Sequence, residues 1–277
     1  VKASLHLNAR NKFFGQKAAL EALARGLARH GIECVWSVHA AGPAPGADFA
    51  VLWSWKRRTL IQSCRERGVP VLCCENGFIE PRGAYVSLVW DGFNNLGRRP
   101  ECRDDGTRFR RLFGDRLRPW RRGGETALVI GHVGRDALIY GRDMREWAAE
   151  RVAYLCRRGV RVVYRPHPMD KTPVIPEGAE ASDRGLQEEL SRARFCLTFS
   201  STVAVESVLR GVPTVAEHPG SLAWDVASHD LADPPIRPDR TAWAHRLAWA
   251  SWSREELESG AAWDGVKELR CSGNVSV

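Results

Sequence analysis

The sequence predicts an α/β protein built as two units, each a parallel sheet with helices on both faces. Two observations lead to this. Short apolar runs rich in Val, Leu and Ile alternate with stretches of helical period in both halves of the chain, the pattern of βαβ crossovers, which require parallel strands covered on both sides. The alternation is interrupted once, by a charged stretch ending in Gly123-Gly124, and then restarts. At 277 residues there is enough chain for two cores of ordinary size.

The first half opens with a strand at Ala3–Leu7, a polar turn from Asn8 to Gly15 and a helix from Gln16 to His30. Its Ala19, Leu20, Leu23 and Leu27 share one face, and Gly31 ends it. Strands follow at Glu33–Val38, Asp48–Trp53, Pro70–Cys74 and Tyr85–Trp90, with the loop AAGPAPGA after the first of these and a helix at Arg57–Arg67 before the third. The second half has strands at Thr126–Ile130 and Val160–Pro168 and helices at Arg142–Arg158 and Gly185–Ala193. Phe195–Glu217 then reads as a buried strand, a Ser-Ser-Thr turn, a helix from Val203 to Gly211 and a strand opened by Pro213. Trp/Ala-rich helices at Thr241–Trp252 and Arg254–Ala262 and a tail after Leu269 close the chain.

Composition narrows the class. With 44% hydrophobic and 27% charged residues the chain is globular rather than disordered. No apolar run approaches the ~20 residues of a membrane helix. Lys2, His6, Arg10 and Lys12 break any signal-peptide pattern, so no membrane insertion and a cytoplasmic location are expected. The eight cysteines lack CxxC or Cys/His ligand spacing; they are expected as buried free thiols, with no metal site. No GxGxxG follows the first strand and no GxxxxGK[ST] occurs, which disfavours dinucleotide dehydrogenases and P-loop NTPases.

Chemistry concentrates where strands end. In open α/β sheets ligands sit beyond the carboxyl ends of the strands. Ser200, Ser201 and Thr202 follow one strand and open a helix, a place suited to phosphate, although the same residues also suit a plain helix cap. Glu206 lies one turn further on. Arg165 and His167 end the strand upstream, bringing a guanidinium and an imidazole to the same edge. In the first half, Glu75 and Asn76 end one strand, and Asp91, Asn94 and Asn95 follow the next; both sets are expected to face one crevice, with a carboxylate there as candidate base. The net charge of +8 is concentrated in arginines between Arg98 and Arg122, interleaved with Phe109, Phe113 and Trp120. That pattern suits phosphate contact and base stacking, or a solvated surface helix and linker.

The order of GHVGRDALIYG, RPHP and TFSSTVAVESVLRGVPTV resembles the C-terminal half of the GT-B glycosyltransferases that build bacterial capsular polysaccharide, the Kdo transferases among them. ENGFIEPRG is similar to their N-terminal Glu-Asp-Gly-Phe signature, and the resemblance spans roughly residues 70–220. Shorter phage-encoded proteins share the layout, including an Asn-Asn pair like Asn94-Asn95. The resemblance implies a GT-B fold, with a Rossmann-like acceptor domain over 1–123, a Rossmann-like nucleotide-sugar donor domain over 124–236 facing it across a crevice, and C-terminal helices and tail over 237–277. It implies donor contacts at Gly131, His132, Asp136, Arg165, His167, Ser200, Ser201, Thr202 and Glu206. Asn76 stands where the family has an acidic residue and His132 where it has Gln, which argues against CMP-Kdo as donor and moves the expected base to Glu75, with Asp91 in reserve. No cofactor is expected beyond the nucleotide sugar as co-substrate.

The favoured acceptor is a hydroxymethylated pyrimidine in phage DNA, contacted by Asn76, Asn94, Asn95, Arg108 and Arg111, with the protein in the host cytoplasm. Extruding the base would expose its hydroxyl. A polysaccharide or lipid-linked glycan is the alternative acceptor. A non-catalytic nucleic-acid-binding protein on the same scaffold and a nucleotide-sugar epimerase are the alternative classes.

Overall fold

A computed structural model describes residues 1–7, 15–38, 40–78, 83–133, 137–139 and 141–271. In chain order its elements are β1 (Lys2–Leu7), α1 (Gln16–Arg29), β2 (Glu33–Val38), β3 (Phe49–Trp53), α2 (Arg58–Glu66), β4 (Val71–Asn76), β5 (Tyr85–Trp90), α3 (Thr107–Phe113) and β6 (Thr126–Ile130). There follow α4 (Met144–Cys156), β7 (Val162–Arg165), β8 (Ala179–Ala181), α5 (Leu186–Arg192), β9 (Ala193–Thr198), α6 (Val203–Leu209) and β10 (Thr214–Ala216). The chain closes with α7 (Thr241–Trp249), β11 (Ser251–Ser253), α8 (Arg254–Ser259) and α9 (Ala261–Val266). The turn expected over Asn8–Phe14 and the tail beyond Cys271 lie outside the described residues.

The chain divides into two compact units, Val1–Phe113 with His245–Val277, and Gly114–Ala244. The boundaries expected at 123/124 and 236/237 both fall inside the second unit. The C-terminal residues from His245 join the first unit, a long-range association that no local pattern reveals.

The first unit holds a sheet in the order β11-β5-β4-β3-β1-β2. Strands β1 to β4 are parallel neighbours, whereas β5 runs antiparallel to β4 and β11 antiparallel to β5. The apolar stripe of α1 packs as its spacing dictates, with Leu20, Leu23 and Leu27 at most 1% exposed. Gly31 adopts φ 69° after the helix, a backbone that favours glycine. Phe49 stacks on Trp263 with ring centroids 5.1 Å apart, and Trp90 Nε1 donates to the Val266 carbonyl at 2.8 Å, so the C-terminal helices complete this core. The helix expected over Thr241–Trp252 stops at Trp249. Ser251–Ser253 instead pairs with the open edge of β5 and buries Trp252.

The second unit holds an all-parallel sheet in the order β10-β9-β6-β7-β8. Alternate residues of β6 feed two cores: Ala127 and Val129 pack with Trp147, Val152 and Leu197, while Leu128 and Ile130 pack with Val163, Leu190 and Cys196. A strand buried on both sides reads as a near-continuous apolar run, here Ala127–Ile130, which is why its sequence is legible. The described cysteines Cys34, Cys64, Cys73, Cys74, Cys102, Cys156 and Cys196 are free thiols. Burial pushes Cys196 up to about 12, which keeps it protonated and unreactive.

Candidate functional site

In the second unit the chain passes from β6 to β7 on one side and later returns through β9 on the other. The strand order therefore reverses between β6 and β9, and the groups beyond their carboxyl ends flank a topological switch point, the usual ligand position in such sheets. His132 follows β6 and is bracketed against β9. The Phe199 N–H donates to its Nε2 at 3.2 Å, and the Thr198 hydroxyl lies 3.1 Å from the same nitrogen. A nitrogen that accepts from a backbone N–H is unprotonated, so the neutral ring carries its proton on Nδ1. Trp147 and Phe199 pack edge-on against the ring.

Gly131 was expected as a donor contact. Its missing Cβ is instead accounted for by the protein, since a Cβ there would meet the Tyr164 hydroxyl at 2.5 Å. Asp136 lies outside the described residues.

The Ser-Ser-Thr turn is also more self-contained than its sequence suggests. The Ser201 N–H donates to Thr198 Oγ1 at 3.0 Å and the Val203 N–H to Ser201 Oγ at 3.2 Å. Ala204 and Val205 donate to the Ser201 and Thr202 carbonyls at 3.0 Å each. These donors are not held open for an anion, and α6 spans only seven residues, so the turn acts as a helix cap rather than as the expected helix-terminus phosphate site. Ser200 is buried, and its Oγ has no hydrogen-bond partner. Thr202 precedes the helix without a side-chain capping bond, and Glu206 is 9% exposed.

Arg165 Nη1 donates to the Arg184 carbonyl at 2.6 Å and to Ser182 Oγ at 3.1 Å, which fixes the guanidinium at the β7 end. His167 Nδ1 accepts from the Met169 N–H at 3.0 Å, so the neutral ring carries its proton on Nε2 as a donor. Two neighbours escaped the sequence reading. His218 sits two residues past β10 with its ring 5.0 Å from Phe199, and the Arg142 guanidinium lies 5.1 Å from that ring on the same unit. The first was findable, because it follows a buried strand as directly as His132 does.

In the first unit the antiparallel β5 separates residues expected to act together. Glu75 pairs in register with Ser87, whereas the Asp91 N–H donates to the Val71 carbonyl at 2.7 Å, at the amino end of β4. Four residues of strand separate those levels, about 13 Å. Glu75 and Asn76 thus occupy the carboxyl edge, and Asp91, Asn94 and Asn95 the opposite one. Asp91 is structural, accepting from the Val71 N–H at 2.7 Å and pairing with Arg98. Asn95 accepts from Arg99, and Asn94 holds φ 50° in the loop tip. Neither Asp91 as reserve base nor the Asn pair as partner of Glu75 survives this geometry.

The aromatics of the arginine segment are buried or half-buried, whereas of its arginines only Arg108 is buried, and Arg103, Arg110, Arg111, Arg118 and Arg122 are exposed. Phe109 and Phe113 are buried, and Arg108 is 7% exposed in an ion pair with Glu256. Trp120 Nε1 donates to the Pro238 carbonyl at 2.7 Å, and Arg121 donates to the Leu190 carbonyl at 2.7 Å. Arg108 is therefore a core staple and not an acceptor contact. Arg111 is exposed and 3.2 Å from Glu256.

The carboxyl edge of the first sheet holds one further polar group that the sequence reading passed over. His6, fully buried on β1, lies 2.9 Å through Nε2 from Ser4 Oγ. Burial and the charge of Arg57 push its imidazole from the ordinary 6.5 down to about 4. Below pH 6.5 the unfolded chain takes up a proton that the folded chain refuses until about pH 4, so stability falls as pH is lowered through that window. His6→Asn is expected to remove about 2–3 kcal/mol of the drop in unfolding free energy between about pH 7 and about pH 4.5, read by urea titration. An unchanged pH slope in the variant would contradict the assignment.

Comparison with solved structures decides the fold. The Thermosulfurimonas dismutans KpsC β-Kdo 2,4 transferase aligns with TM-score 0.55 over 88% of this chain and 89% of its own, at 16% identity. The β-Kdo 2,7 transferase of the same KpsC aligns with TM-score 0.55 over 97% of this chain and 100% of its own, at 14% identity. The fold is GT-B. At such identities the likeness is one of fold alone, and it agrees with the GT-B expectation drawn from motif order. No protein-family model matches the chain, and no curated protein does. Among the described residues no helix of this GT-B chain is long and apolar enough to cross a membrane.

Proposed function

We propose that the protein is a nucleotide-sugar-dependent glycosyltransferase whose second unit holds the donor, whose first unit supplies acceptor and base, and whose acceptor is a glycan. The observation that carries this is the switch-point edge of the second sheet, where Arg165, His167 and the unpartnered Ser200 hydroxyl stand beyond the strands of a GT-B fold. Glu75 takes the proton of the acceptor hydroxyl as its oxygen bonds to the anomeric carbon. The bond from that carbon to the donor phosphate breaks, and the phosphate leaves with the electron pair. The Arg165 guanidinium and the His167 Nε2–H meet the charge that develops on it.

A glycan is favoured over DNA because the aromatics that would stack bases are occupied within the protein: Phe109 and Phe113 are buried and Trp120 is tied to the Pro238 carbonyl. The two solved GT-B structures are Kdo transferases, which is consistent with a glycan acceptor. The test is a panel of nucleotide sugars offered with oligosaccharide, lipid-linked glycan and hydroxymethylated DNA, with product masses as readout. A hexose- or pentose-sized gain on a glycan is the expected result. A gain on DNA alone would return the acceptor to the hydroxymethylated pyrimidine, donor conversion without acceptor would indicate an epimerase, and silence with every donor would favour a binding protein.

A further inference from the structure

The first sheet has a switch point of its own. The chain runs from β1 to β2 on one side and returns to β3 on the other, so the order reverses between β1 and β3. Right-handed crossovers then put α1 and α2 on opposite faces, the topology in which ligands bind beyond the carboxyl ends of the strands, here β1 and β3. The polar groups at this edge are incompletely bonded. His6 and Gln16, at 0% and 2% exposure, leave His6 Nδ1 and both amide atoms of Gln16 without partners, and Arg57 Nη1 is likewise buried and unpartnered. His6 belongs to the face of β1 opposite Leu5, Gln16 opens α1, and Arg57 immediately precedes α2, so the groups flank the carboxyl ends of β1 and β3 from the two faces of the sheet.

Their donor and acceptor balance defines what fits. Ser4 Oγ accepts from the Ala44 N–H at 3.0 Å, and His6 Nε2 is the acceptor within reach of its own proton; with that proton donated, the neutral ring presents Nδ1–H. Arg57 Nη2 is anchored on the Ala40 carbonyl at 2.8 Å, which leaves Nη1 as a charged donor. The Gln16 amide adds one more donor and one acceptor. Leaving such buried groups unpaired is costly, and a cation with excess donors is matched by an oxyanion, with a neighbouring hydroxyl to satisfy the amide oxygen.

We infer that His6, Gln16 and Arg57 form an oxyanion site in the first unit, which takes a carboxylate or phosphate carried beside a hydroxyl. Resting on the proposed function, this group belongs to the acceptor, making the acceptor an acidic glycan. The site is built from first-unit residues alone, whereas Arg165 and His167 belong to the second unit, and it does not need the donor.

The test uses the full chain. Inorganic phosphate and, separately, glycolate are titrated while the His6 imidazole nitrogen resonances and the thermal midpoint are followed. A saturable response is expected, weakened about tenfold or more in Arg57→Gln and in Gln16→Leu. Nucleoside diphosphate binding should be unchanged in both variants. Response to phosphate alone would assign a phosphorylated acceptor, and response to glycolate alone a sugar acid. No saturable response to either probe in the wild type, or an equal response in the variants, would overturn the site. Should Arg57→Gln fail to fold, Gln16→Leu carries the comparison, because an apolar replacement relieves an unpaired amide. Failure of the transferase assays with intact probe binding would overturn the proposed function and leave the site standing.

Discussion

Replacing Arg108 with alanine is expected to lower the unfolding free energy by about 2–4 kcal/mol, because it strands a half-buried carboxylate and removes a buried side chain. The guanidinium donates to both oxygens of Glu256, to the Ala248 carbonyl at 2.9 Å and to the Ser251 carbonyl at 2.7 Å. It also lies 4.5 Å from the Trp252 ring centre, so packing is lost with the charge. Glu256 is tied in turn to α8 by a capping box with Ser253. Burial alone would raise the Glu256 carboxyl; the Arg108 bonds and the Ser253 N–H outweigh it and hold the carboxyl below its ordinary 4.5. Removing Arg108 leaves only the opposing contribution of burial and the weaker partners. Adding Glu256→Gln to Arg108→Ala should recover part of the loss, since glutamine keeps the capping box without the charge. Urea titration of the two singles and the double gives the coupling, expected at about 1–3 kcal/mol. A single-variant loss below about 1 kcal/mol would show that the C-terminal segment is held by its tryptophans alone.

This staple marks the limit of what the sequence could reveal. Arg108 and Glu256 are 148 residues apart, and an arginine read without its partner looks like a solvent-facing or polyanion-binding charge. By contrast β6 and β9 were legible because burial on both faces leaves each an apolar run, Ala127–Ile130 and Phe195–Leu197. The direction of β5 was misread although a signal existed: the connection from Asn76 to Tyr85 has no helical period and is too short for a crossover, which leaves a hairpin. β11 has three residues and only its pairing with β5 defines it, so local pattern gives no access to it. In the site, strand-end logic pointed to Arg165, His167 and Ser200, the family resemblance pointed to His132, and strand-end logic should also have pointed to His218. The alternation of Ser4 and His6 within an apolar strand was equally visible, because polar residues on one face of a buried strand need partners.

Glu75→Gln is expected to lower kcat by about 10²–10⁴-fold in the transferase assay while leaving nucleotide binding unchanged. The substitution preserves shape and hydrogen-bonding capacity and removes the ability to take a proton. Glu75 lies at the carboxyl edge of β4, and its charge helps burial raise the thiols of Cys73 and Cys74, so a carboxylate there acts on a poorly solvated surrounding. Asp91 cannot take over. It lies at the other end of the strand, accepts from the Val71 N–H and is paired with Arg98. Asp91→Asn should therefore cost stability and leave kcat within a few-fold of wild type, the reverse of the Glu75 pattern. Single-turnover rates with saturating donor separate the two, since a lost base slows the chemical step and a weakened fold lowers the active fraction. Retention of turnover within about tenfold in Glu75→Gln would remove Glu75 as the base. The acceptor hydroxyl would then lose its proton to another group, with Asp91 still excluded by its position.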